Sequence, residues 1–95
     1  MKIKTKSGFV CDVDETKVKD WRFAKNLAKC DAEPTMVQGM TFVVPFLLGE
    51  DGENALMEHV KEKDGTIPTP KMIAEFKEIL DLIGAEAKKS ESSQV

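Results

Sequence analysis

The chain has one histidine, two cysteines and no strong excess of either charge. Its 14 basic residues face 17 carboxylates, for a formal net charge of -3 over 95 residues. Each shortage removes a class of function. His59 stands alone, and Cys11 and Cys30 lie far apart outside any C-x-x-C spacing, so a metal site lacks its ligand set. Both thiols read as reduced and half-buried, in a reducing compartment. Without a basic face the chain lacks the footprint of a nucleic-acid binder. The longest apolar stretch, Phe42 to Leu48, falls far short of the roughly 20 residues that span a bilayer. Met1 to Lys6 is charged and no apolar leader follows, so a cytoplasmic protein is expected. No glycine-rich phosphate loop is present, and no serine sits in a nucleophile elbow. The carboxylates Glu50, Asp51 and Glu53, like Asp12 and Asp14, do not follow the twelve-position calcium loop. The sequence therefore predicts no enzyme, no cofactor and no metal. His59 reads as a surface residue.

What the chain does have is one apolar segment, Thr35 to Gly49, in a charged background. As a helix it places Met36, Met40, Val43, Val44 and Leu47 on one face. Val37, Phe42, Phe46 and Leu48 spread apolar surface around the rest. A helix apolar on nearly all sides is central in a core or is shared between core and partner. Phe42, Phe46, Val37 and Leu48 are accordingly the candidate partner-binding residues, because contiguous exposed apolar patches mark interaction sites. Pro45 removes a backbone donor and crowds the carbonyl of Thr41, which predicts a kink or break there.

Residues 1–14 read as a β-hairpin. A three-residue loop, Lys6-Ser7-Gly8, pairs Thr5 with Phe9, Ile3 with Cys11 and Met1 with Val13 on one face. Lys2 then stands opposite Asp12, a favourable cross-strand charge pair. Gly8 would hold the left-handed position of such a loop.

Asp14 or Thr16 can cap a helix running to Cys30, with Trp21, Phe23, Ala24, Leu27 and Ala28 on its apolar stripe. Trp21 reads as a core residue covering the hairpin. Asp31-Ala32-Glu33-Pro34 breaks the pattern, with Pro34 in the first turn of the apolar helix. Gly49 closes that helix. Asp51 can cap a short one to Lys63, which stops at Asp64-Gly65. Thr69 caps the last helix, where Met72, Ile73, Phe76, Ile79, Leu80 and Ile83 recur at helical spacing. Gly84 is its expected end. The expected fold is α+β and mostly α: an N-terminal β-hairpin, then about four helices around a central apolar helix. It forms one globular domain over 1–84 (hairpin 1–14, helical 15–84), with a flexible polar tail over 85–95. Trp21, Phe23, Leu27, Val43, Leu47, Phe76, Ile79 and Leu80 are the expected core.

Five pieces of sequence carry a resemblance that spans Gly8 to about Leu80. They are Ser7-Gly8-Phe9-Val10-Cys11-Asp12-Val13-Asp14-Glu15, Lys19-Asp20-Trp21-Arg22-Phe23 and Phe46-Leu47-Leu48-Gly49-Glu50. Asn54-Ala55-Leu56-Met57-Glu58-His59-Val60 follows, and then Asp64-Gly65-Thr66-Ile67-Pro68 ahead of Met72. In these the chain resembles the small tail assembly chaperones of long-tailed, siphovirus-type bacteriophages and prophages. Pro45 inside the central helix departs from that pattern. The resemblance implies a non-enzymatic, non-virion helper, in the cytoplasm of an infected or lysogenic bacterium. Its partners would be the tape measure protein and the major tail tube protein, with self-association plausible. It also implies a second, longer product made by ribosomal frameshifting, for which Ala87-Lys88-Lys89 could encode the slippery run. A small acidic phage or bacterial regulator that binds and inhibits a protein partner is the alternative reading.

Overall fold

A computed structural model of the chain describes residues 1–30 and 36–94, with side chains as far as Glu86. The elements in order are β1 (Lys2–Lys4), β2 (Val10–Asp12), α1 (Glu15–Val18), α2 (Trp21–Cys30), α3 (Met36–Val60) and α4 (Thr69–Gln94). The expected break at Asp31–Pro34 and the start of the apolar helix at Thr35 lie outside the described residues. So do the side chains of the proposed slippery run.

The hairpin adopts the three-residue loop. Lys2 pairs with Asp12, Ile3 with Cys11 and Lys4 with Val10. Thr5 N donates to Phe9 O at 2.9 Å, and Gly8 N to Thr5 O at 3.0 Å. Gly8 sits at φ +97, a conformation glycine reaches without a Cβ clash. Alternation puts Ile3, Thr5, Phe9 and Val13 on the buried face and Lys2, Lys4, Val10 and Asp12 outside. A lone two-stranded hairpin is marginal in water. This one gains its stability by packing β1 against α4 and β2 against α3.

The single helix expected after the hairpin is two helices. Asp14 caps α1, its carboxylate accepting from Thr16 N at 2.9 Å. Asp20 then interrupts: its Oδ1 accepts from Arg22 N at 2.7 Å, the geometry of an N-cap that starts a new helix. Phe23 and Cys30 are buried and Leu27 is half-buried, while Ala24 and Ala28 are exposed. Trp21, expected in the core, is 75% exposed. It precedes Phe23 by two positions, which is about 200° of helix rotation, so burying Phe23 turns Trp21 outward. The helices α2 and α3 approach each other closely at Gly39. A Cβ there would stand 2.8 Å from the backbone oxygen of Asn26 and 2.9 Å from Cys30 Sγ.

The interruption in α3 falls at Gly49, the expected end of the apolar helix, and not at Pro45, where a kink or break was also expected. Gly49 has φ 75 and ψ 169, while Pro45 lies within the helix. Its missing N–H leaves one carbonyl without its usual donor, a smaller perturbation than the reversal at Gly49. The chain therefore folds back into two arms, the first apolar and the second burying only Leu56 and Val60. Gly52, just past the bend, lies under Leu48: a Cβ would meet that of Leu48 at 2.7 Å. The second arm ends at Val60, short of Lys63, and a loop with Gly65 at φ +90 leads to α4. Here Glu62 N donates to Thr66 O at 2.8 Å. Beyond Gly84 the helix α4 continues to Gln94, where a polar tail was expected. Residues 85–89 contain no proline and carry alanine, glutamate and lysine, all strong helix formers that outweigh one glycine.

The core joins the hairpin (Ile3, Phe9, Val13), α2 (Phe23), α3 (Val43, Val44, Leu47, Leu56) and α4 (Phe76, Ile79, Ile83), and Val18 of α1 packs against it. Of the expected core, Leu27 and Leu80 are half-buried and pack against this cluster. Each fully buried large side chain stabilises the fold by roughly 1.5–3 kcal/mol.

Candidate functional site

The bend at Gly49 produces the feature of most functional interest. The two arms of α3 and the start of α4 enclose an apolar groove of about 220 Å³. Val37, Met40 and Val44 form its first wall, Met57 its second, and Ile67, Met72 and Ile73 its third. Three of the chain's five methionines thus line one groove. Methionine is unbranched and polarizable, so a surface of this kind adapts to differently shaped apolar partners. Val37 is 48% exposed and Ile67 39% exposed, and together they rim the opening. The groove also contains one charged residue, Glu53.

The four candidate partner residues are not brought together here. Val37 belongs to the groove. Phe42 and Phe46 lie elsewhere on α3, half-buried and stacked on each other with ring centroids 5.2 Å apart. Lys17 Nζ and Arg22 Cζ stand 5.6 and 5.1 Å from the Phe46 ring centre. Phe46 is therefore covered by cations from α1 and α2, a contact of cation–π type. Leu48 is half-buried and packs against the core.

Comparison of the chain with protein-family models, with curated proteins and with solved structures gave no match.

A second, polar cluster joins residues that no motif or spacing had grouped. Glu75 Oε1 accepts from Thr5 Oγ1 at 2.9 Å and from Ser7 Oγ at 2.7 Å. Glu78 Oε2 accepts from Lys6 N at 2.6 Å. His59 Nε2 lies 2.8 Å from Ser7 Oγ, and its ring meets Phe9 at 5.4 Å. Serine, histidine and glutamate together invite comparison with a nucleophile relay, but the order of bonding differs. In a relay the carboxylate holds the imidazole by the nitrogen remote from the serine. Here the carboxylate holds the serine itself, and approaches the same imidazole nitrogen at 3.9 Å. With the Ser7 proton directed to Glu75, Nε2 must supply the proton of its own bond to Ser7. The cluster acts as a tether between the hairpin turn, the second arm of α3 and α4.

Cys11 does not stand in an activating environment. Burial, and then the charge of Asp12, push the Cys11 thiol above its ordinary range, which suppresses the reactive thiolate. Among the described residues, no group of three or more His, Cys, Asp or Glu could hold a metal ion. No helix among them is long and apolar enough to cross a membrane.

Proposed function

We propose that this protein is a non-enzymatic assembly helper that shields apolar helical stripes of a partner chain. We propose further that the partner is the tape measure protein of a long bacteriophage tail, with tail tube subunits recruited to the same complex. The observation that carries this reading is the exposed, methionine-lined groove between the arms of α3 and α4. A long helical chain with apolar stripes aggregates until its tube surrounds it, and a groove of this type covers such stripes by helix-in-groove packing. The net charge of -3 favours solubility of the resulting complex. The sequence resemblance to tail assembly chaperones supplies the identity of the partner. The setting is then the cytoplasm of an infected or lysogenic bacterium.

Co-expression with the tape measure gene of the same locus tests the proposal. The tape measure chain should move from the pellet to the soluble fraction and copurify with the protein. Val37→Asp, which places a charge on the groove rim, should abolish this with the circular dichroism spectrum unchanged. Tape measure solubility that is indifferent to the protein would overturn the proposal. An effect lost with Trp21→Ala but kept with Val37→Asp would overturn the assignment to the groove.

A further inference from the structure

Four carboxylates among the described residues are half-buried: Asp20, Glu53, Glu75 and Glu78. Three of them are satisfied. Asp20 holds the backbone and guanidinium of Arg22, Glu75 holds Thr5 and Ser7, and Glu78 holds Lys6 N. Glu53 alone has no hydrogen bond or ion pair with any described residue, and it is the one that lies in the apolar groove. A carboxylate half-removed from water gains most from a cation brought to it in a partly desolvated setting. The groove, at about 220 Å³, is below the roughly 300–1,000 Å³ of small-molecule pockets. It suits anchor side chains projecting from one face of a helix, which lie about 5–6 Å apart at i and i+4.

We infer that the groove takes an amphipathic helical segment whose apolar anchors are flanked by a lysine or arginine, and that this cation pairs with Glu53. The inference deepens the proposal above and rests on its reading of the groove as a partner site. Glu53 then sets which apolar stripes are accepted: those edged by basic residues bind, and those edged by acidic residues are repelled.

Two labelled synthetic helical peptides test this against the full chain. Both carry the same leucine stripe at i, i+4 and i+7, one edged by lysines and the other by glutamates. By fluorescence anisotropy at low salt the lysine peptide should bind at least tenfold more tightly. Glu53→Gln should collapse that ratio toward one, and Glu53→Lys should invert it, with unchanged circular dichroism confirming both folds. Equal affinities for the wild-type chain overturn the role of Glu53 while the groove remains a partner site. Binding of neither peptide, or binding unaffected by Val37→Asp, overturns the groove reading itself. A concentration-dependent dimer abolished by Val37→Asp would place a second copy of the chain in the groove and overturn the inferred occupant.

Discussion

Asp20 shows how much one side chain can redirect. Its carboxylate receives the backbone N–H of Arg22 and, through Nε at 3.0 Å and Nη2 at 2.8 Å, both arms of the guanidinium. Those bonds, led by the guanidinium, hold its pKa at about 2 against an ordinary 3.8. A carboxyl depressed by folding contributes stability that is complete above the unfolded value and is lost as pH falls through the folded one. The contribution of Asp20 should thus persist through pH 4 and fade toward pH 2. Carbon-detected NMR of the Asp20 carboxyl should find its midpoint near 2, and a midpoint near 3.8 would show that the fork with Arg22 does not form. In the sequence, Asp20 looked like one more polar residue on a long helix. Trp21 was misplaced because it was assigned to the same stripe as Phe23, although two positions set them about 200° apart on one helix.

At the level of elements, glycines decide more than proline does. The hairpin register was readable because only one loop length puts Ile3, Thr5, Phe9 and Val13 on a common face and gives Gly8 its left-handed turn. The break in α3 was readable as well, since Gly49 is the expected end of the apolar helix, whereas the break expected at Pro45 does not occur: Pro45 lies within the helix. Gly49 and Gly84 should respond oppositely to alanine. At Gly49 the combination of φ 75 and ψ 169 is one that side-chain-bearing residues adopt only at a cost of about 1–3 kcal/mol. Gly84 is helical, and a Cβ there meets nothing within 4 Å, so Gly84→Ala should stabilise by about 0.4–1 kcal/mol. Urea denaturation of the two variants checks both signs. Equal effects would mean that α3 runs through position 49 without bending.

For the molecule as a whole, α4 is the element on which closure of the core depends. Phe76 is 1% exposed and Ile79 fully buried, and both were legible from the spacing of apolar residues in that helix. Phe76→Ala should cost about 3–5 kcal/mol, measured by the shift in denaturation midpoint at constant slope. A loss below about 1 kcal/mol would place α4 outside the core. The groove was less legible, because its walls come from three separated segments that only the bend in α3 assembles. The polar tether was invisible for a similar reason: Thr5 and Glu75 are 70 residues apart in sequence. That separation has a consequence for synthesis. At about 5–20 residues per second, Thr5 leaves the ribosome roughly 4–14 s before the glutamate that will fix it. During that interval Ile3 and Phe9 have no α4 to cover them, and the hairpin is too small to hold itself together. Slow translation between the turn and α4 lengthens the exposure of this apolar face, so codon choice in that stretch bears on the yield of folded protein.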